Sequence, residues 1–136
     1  MLTPKQIVEK MMSKDAFSIW LGVEVLNIEL GTCTLQCSIK DDMLNGFEIL
    51  HGGISYSLAD SALAFAANSY GFQCVSIETS ISHTRPAKIG DTLIATCTEI
   101  NRGKRIGIYE VRVVNQDKKL IAYFKGTVNV SENVWK

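Results

Sequence analysis

The sequence has little that would mark a metal site, a disulfide framework or a membrane segment. Only two of its 136 residues are histidine, so the imidazoles that most zinc sites use are scarce. Four cysteines, Cys33, Cys37, Cys74 and Cys97, show no C-x-x-C spacing, and we predict that they are reduced and mostly buried. No stretch approaches the roughly 20 apolar residues of a membrane-spanning helix, and the N-terminal stretch lacks the apolar run of a signal peptide. We expect a cytoplasmic protein.

Charge of either sign is not in excess. Fourteen Lys and Arg residues balance fourteen Asp and Glu residues, which argues against the basic surface of a general nucleic-acid-binding protein. Apolar residues make up 46% of the chain and prolines number only two, a composition typical of a compact globular protein. We therefore predict a single domain over residues 1–136, with one hydrophobic core and a small-molecule ligand.

Apolar periodicity predicts a short helix, two strands, a long helix and four further strands. The short helix covers residues 3–14, with Thr3 as a possible N-cap, and residues 22–39 alternate as in an antiparallel pair of strands. The Ala-rich residues 53–70 form the long helix, which is apolar around much of its circumference. No helix separates the later strand-like runs, at 74–83, 91–100, 106–115 and 120–130. The economical solution is α+β: a mainly antiparallel sheet of five or six strands wrapped around one central helix, which describes a hotdog fold.

Asp60 is the most unusual polar residue of the long helix. It lies eight positions after Gly52, in "HGGISYSLAD", among small apolar residues. Burying a carboxylate there is costly unless another group pairs with it or uses it. Two interpretations without chemistry are open at this point: Gly52 and Gly53 only form a turn into the helix, and Asp60 lies on a solvated stripe with Ser57, Ser61 and Asn68.

Two longer stretches carry a family resemblance. They are "LNGFEILHGGISYSLADSALAFAANSYG" and "SIETSISHTRPAKIGDTLIATCTEI", and they resemble the hotdog-fold acyl-CoA thioesterases of the phenylacetic-acid-pathway, or PaaI-like, group. The similarity extends from about residue 22 to residue 130. It implies hydrolysis of an acyl-CoA to free CoA and a carboxylic acid without a metal or organic cofactor. Aryl-acetyl-CoA, such as phenylacetyl-CoA or its hydroxylated relatives, and medium- or long-chain fatty acyl-CoA are both implied as substrates.

The resemblance also implies which residues act. Asn45 and the backbone N–H of Gly52 would hold the thioester carbonyl, Asp60 would activate water or attack the carbonyl itself, and Ser76 would position the water. Such a carbonyl oxygen gains negative charge, which fixed N–H donors at a helix N-terminus stabilise best. His51 is expected to hold the loop by packing and hydrogen bonding, and His51 and Gly53 are also predicted to contact the substrate.

The spacing along the helix predicts a shared site. At 1.5 Å rise per residue, Asp60 lies roughly 12 Å along the axis from Gly52, too far for both to contact one thioester carbonyl. Two antiparallel helices across a two-fold axis would bring Gly52 of one chain near Asp60 of the other, an arrangement that the resembled family shares. We predict a homodimer, with dimers pairing into a tetramer, in which small residues permit close helix approach. These are Ala59, Ala62, Ala66 and Ala67.

Two small basic clusters are candidates for binding the phosphates of CoA. One contains Arg85 and Lys88 beside a proline; the other is the turn "NRGKR", with Arg102, Lys104 and Arg105. Cations of this kind recognise phosphate. A solvated hairpin without a ligand would also explain the second cluster.

Other functions fit the motifs less well. The chain has no G-x-S-x-G nucleophile elbow and no glycine-rich phosphate loop, and it lacks the His-Phe-Pro-type segment of fatty-acid dehydratases. A non-catalytic acyl-CoA binding or sensing module remains the alternative. The joint presence of Asn45, Gly52, Asp60 and Ser76 argues against it.

Overall fold

The computed structural model describes residues 1–136 as a six-stranded antiparallel sheet around a long helix. Counted in chain order, the first strand pairs with the second, the second with the fourth, the fourth with the fifth, the fifth with the sixth and the sixth with the third, and every neighbouring pair is antiparallel. This confirms the predicted α+β architecture. The elements are α1 (Pro4–Met12), α2 (Ala16–Leu21), β1 (Glu24–Glu29), β2 (Thr32–Ser38), a 3-10 turn (Asp41–Met43), α3 (Gly52–Asn68), β3 (Phe72–His83), β4 (Thr92–Arg102), β5 (Ile106–Val114) and β6 (Leu120–Val134).

The sheet wraps α3, and the core lies between them. Leu58, Leu63 and Phe65 of α3 are at most 1% exposed. Gly126 of β6 permits the close approach, because a Cβ there would lie 2.5 Å from a methyl carbon of Leu63. The helix therefore packs directly on the sheet at this point.

The small residues of α3 face the sheet and not a second helix. Ala59, Ala62, Ala66 and Ala67 have no exposed surface, so the prediction that they lie between two helices is wrong. All four alanines belong to the chain's own hydrophobic core. The partly exposed face of the helix instead carries Gly53, Ser57, Asp60 and Ala64.

A second short helix was not predicted. Asp15 caps α2 by accepting the Ser18 N–H at 3.0 Å, and Gly22 ends it with a left-handed φ of 77°. An Asp cap and a C-terminal glycine are recognisable helix signals. Six residues, however, are too few for apolar periodicity to show, which is why the sequence pattern missed α2.

The two edge strands of the sheet differ in length. β1 has six residues, whereas β3 has twelve and leaves Val75 68% and Ile77 58% exposed. A long apolar edge strand is a ready template for pairing with another strand. The surface beside β3 is therefore the part of the sheet best suited to a second chain.

Two further predictions concern cysteines and membranes. All four cysteines are buried and unpaired, as predicted. None of the three helices has the length and apolarity required to traverse a lipid bilayer.

Candidate active site

The N-terminus of α3 is fixed by the loop that precedes it. The His51 N–H donates to the Met43 carbonyl at 2.9 Å, and the Leu50 N–H donates to the Ala87 carbonyl at 2.8 Å. His51 is the N-cap, and its Nδ1 accepts the Gly53 N–H at 2.9 Å. His51 therefore holds the loop through hydrogen bonds of its backbone and of its ring. The Gly53 N–H donates to that ring and has no free hydrogen for a ligand.

Two N–H donors at this end of α3 have no acceptor within the chain. The Asn45 carboxamide oxygen accepts the Phe47 N–H at 2.8 Å, which orients the group and leaves its Nδ2 free. The Gly52 N–H makes no hydrogen bond in the chain either. Both residues line an open cavity of about 420 Å³. Unused donors at a helix N-terminus form a site suited to an oxygen that carries negative charge.

His83 is a neighbour of Gly52 that the sequence reasoning missed. It lines the same cavity, and a Cβ at position 52 would lie only 2.9 Å from its Nε2. Its Nδ1 is 3.4 Å from the hydroxyl of Ser55, which donates to the Gly52 carbonyl at 3.1 Å. A side chain at position 52 would therefore force the His83 ring to move. A histidine three residues before Pro86, at the end of a strand, was the available signal.

Asp60 lies in a second cavity, one side of which is formed by β3. This cavity measures about 240 Å³ and is lined by Asp60, Ser76 and mostly apolar side chains: Leu63, Ala64, Cys74, Val75 and Val128. The Asp60 carboxylate is half-buried and accepts no hydrogen bond from the chain. Burial raises the pKa of Asp60 above its ordinary value, and the negative charge of Asp15 raises it further. A carboxylate with a raised pKa is a stronger base.

The predicted catalytic residues are thus brought together in pairs. Asn45 and Gly52 share the first cavity, and Asp60 and Ser76 share the second. The chain does not bring the two pairs into one cavity, in agreement with the separation expected along α3. Neither half has both an oxyanion site and a base.

The basic candidates fall into three environments. Arg85 lines the cavity of Gly52, and Lys88 lies with Arg85 on an adjoining cavity. Lys104 and Arg105 are exposed at the turn between β4 and β5. Arg102 is partly buried and does not extend into solvent with them.

The Arg102 guanidinium is turned inward. It donates to the Ala67 carbonyl and to the Tyr109 hydroxyl, both at 2.8 Å, and stacks over Tyr70 with 4.5 Å to the ring centre. These contacts tie the end of α3 to β4 and β5. Arg102 is therefore committed to the fold, and of the turn only Lys104 and Arg105 remain presented to solvent.

No group of three or more His, Cys, Asp or Glu side chains is arranged to hold a metal ion.

The residues of the two cavities can together hydrolyse a polarised carbonyl, provided that the two cavities meet. The free N–H pair would stabilise the oxyanion, and the carboxylate of Asp60 would act on water or on the carbonyl carbon.

Comparison with known proteins adds to this geometry. Residues 47–122 match the Thioesterase superfamily. The acyl-coenzyme A thioesterase PaaI of Escherichia coli K12 is 37% identical over 121 residues, 89% of this chain and 86% of that protein. The solved structure of E. coli PaaI, from the phenylacetic acid degradation operon, has a TM-score of 0.94 at 34% identity and covers 96% of this chain and 95% of that one. A Streptococcus mutans UA159 protein solved with acetyl CoA has a TM-score of 0.80 at 26% identity, covering 83% and 91%.

Fold and sequence similarity agree over most of the chain. The matched segment includes α3 and β3, and each of these two elements contributes residues to both cavities. The predicted hotdog fold and PaaI-like family are thereby confirmed, and the chain belongs to the thioesterase superfamily.

Proposed function

We propose that the protein hydrolyses acyl-CoA thioesters to free CoA and a carboxylic acid. The observation that carries this proposal is the pair of unused donors, Asn45 Nδ2 and the Gly52 N–H, in one cavity at the N-terminus of α3. The thioester oxygen would accept hydrogen bonds from both and gain stabilisation as negative charge develops on it. The E. coli relative is an acyl-coenzyme A thioesterase, and the Streptococcus mutans neighbour was solved with acetyl CoA, so both support an acyl-CoA ligand.

Asp60 completes the proposed reaction. As a general base it takes a proton from water while the water oxygen bonds to the carbonyl carbon. The carbon–sulfur bond then breaks, the CoA sulfur leaves with the bonding pair, and this sulfur takes the proton from Asp60, which restores the carboxylate. As a nucleophile it would instead form a mixed anhydride that water cleaves. The Ser76 hydroxyl, in the same cavity, would hold the water. Neither route requires a metal or organic cofactor.

The proposed working form is a homodimer with two shared sites. Antiparallel pairing of the β3 edges would cover Val75 and Ile77 and place the α3 helices side by side. The partly exposed face with Gly53, Ser57 and Asp60 would then lie against the partner. Gly52 of the partner subunit would approach Asp60, and the two cavities would join. Further pairing of dimers into a tetramer is part of the proposal.

The first cavity would also receive the CoA arm. Arg85 lies on it and Lys88 lies beside it, so a phosphate in this region would meet two cations. We propose aryl-acetyl-CoA or fatty acyl-CoA as the substrate. The four unpaired cysteines support a cytoplasmic location.

A thiol-release assay over aryl-acetyl-CoA and fatty acyl-CoA substrates tests the function. We expect turnover of at least one class, with loss of at least about 100-fold in Asp60→Asn, because a positioned base contributes about that much. Glu29→Gln removes a charge from an exposed residue of β1 and serves as the matched control. Binding of acyl-CoA without hydrolysis of any substrate would overturn the proposal and favour a sensing module.

A further inference from the structure

The junction of α2 and α3 contains a chain of hydrogen bonds beside Asp60. The Ser18 hydroxyl donates to the Asp15 carboxylate at 2.8 Å, and the Ser18 and Ser61 oxygens are 2.8 Å apart. Because the single Ser18 proton is used by Asp15, Ser61 must be the donor to Ser18. Ser61 directly follows Asp60 in α3. These hydrogen bonds thus connect Ser61, the residue next to the proposed base Asp60, with a second carboxylate, that of Asp15.

This arrangement holds Asp15 in a defined place. Ser18 is 1% exposed, and Asp15 accepts both its N–H and its hydroxyl. With six residues, α2 is too short to be stable alone, so its position depends on contacts such as Ser18 with Ser61 and the fully buried Leu21. The two hydrogen bonds from Ser18 thereby hold the Asp15 carboxylate at the end of α2 that adjoins α3.

We propose that Asp15 is a positioning residue for the thioesterase reaction, which acts on Asp60 by holding a fixed negative charge beside it. This inference rests on the proposed function, in which Asp60 is the reacting carboxylate. Two nearby carboxylates disfavour ionisation of each other. Asp60 would then hold its proton to higher pH, and its ionised form would be a stronger base toward water.

Other groups around Asp60 do not supply this charge. In its cavity, β6 contributes Val128, and β3 contributes Ser76 and Cys74, whose thiol is neutral because burial raises its pKa. The charged residues of α1, Lys5, Glu9 and Lys10, are exposed. In the proposed dimer, the N-terminus of the partner's α3 would face Asp60, and it would bring a histidine, His51, which supplies no negative charge; within its own chain this His51 accepts the Gly53 N–H at Nδ1. Asp15 is accordingly the charge that raises the pKa of Asp60 beyond the effect of burial.

The test compares Asp15→Asn, Asp15→Ser and the control Glu29→Gln. Asn and Ser are both good N-caps, so α2 is retained while the charge is removed, and circular dichroism checks the fold. The first readout is the pH profile of kcat/KM. We expect its acid limb to move to lower pH by roughly half a unit in both Asp15 variants, the size expected for two unit charges several ångströms apart in a high dielectric. The plateau should fall about two-fold, since the base is weaker.

A second readout needs no activity. The ¹³C signal of the Asp60 carboxyl, identified by its absence in Asp60→Asn, reports its titration directly. The midpoint should fall in the Asp15 variants and stay in Glu29→Gln. An unchanged midpoint in a folded Asp15 variant overturns the inference. Failure of the wild type to hydrolyse thioesters would refute the proposed function instead, and the NMR midpoint would still decide whether Asp15 acts on Asp60.

Discussion

A shared site can be tested by combining two inactive chains. Asp60 lies roughly 12 Å along α3 from Gly52, whereas a hydrogen bond to the reacting oxygen spans only about 3 Å. In the proposed dimer, one chain therefore provides half of each site. In a heterodimer of Asp60→Asn with Asn45→Ala, one site has both defects and the other has none. We expect about half of the wild-type turnover, because a two-fold dimer has two equivalent sites.

The assay uses co-expression with two affinity tags, tandem purification of the heterodimer and measurement of thiol release. The reciprocal control joins the wild-type chain to a chain that carries both substitutions. Each of its sites contains one defect if the halves come from different chains, so it should be nearly inactive. The reverse pattern, with an inactive first heterodimer and a half-active control, would refute the shared site.

Three further predictions concern stability and local packing. Burial raises the pKa of Asp60 in the folded state, so the folded chain binds more protons than the unfolded chain and loses stability as pH rises from the ordinary Asp range through the raised pKa. Asp60→Asn should therefore have a larger free energy of unfolding than wild type at neutral pH. This difference should vanish when unfolding is measured below the ordinary Asp range. Gly52→Ala places a Cβ 2.9 Å from His83 Nε2 and should lower kcat in the thiol-release assay. The double variant Gly52→Ala/His83→Ala should recover part of this kcat, and no recovery would show that the clash is not the cause. Arg102→Ala should cost about 1–3 kcal/mol in urea unfolding, and Arg105→Ala, at an exposed site, about 0.5 kcal/mol or less; equal costs would contradict the inward placement.

Much of the fold follows from local patterns in the sequence. Strand alternation and the Ala-rich run predict β1 to β6 and α3 with boundaries close to those observed, since apolar spacing reports which face of an element is buried. The same spacing cannot show which surface does the burying. Ala59 and Ala66 were therefore assigned to a helix–helix contact, although the chain's own sheet covers them.

The candidate site divides in the same way. The H-G-G and Asp60 spacing predicts Gly52 and Asp60 as residues of two separate half-sites, because helical rise is a local property. Distant residues enter only through folding: His83 comes to Gly52 from the far end of β3, and Arg102 turns toward the end of α3. No periodicity within α3 predicts either contact.

The sequence by itself determined the order of the six strands and the long helix, the family and most of the candidate residues, since these depend on local spacing and on motifs. The tertiary structure alone decided that His83 lies against Gly52 in the first cavity, and that Ser18 brings Asp15 to the residue beside Asp60. The physical reason is that hydrogen bonds, packing and electric fields depend on distance in space, which sequence separation does not measure.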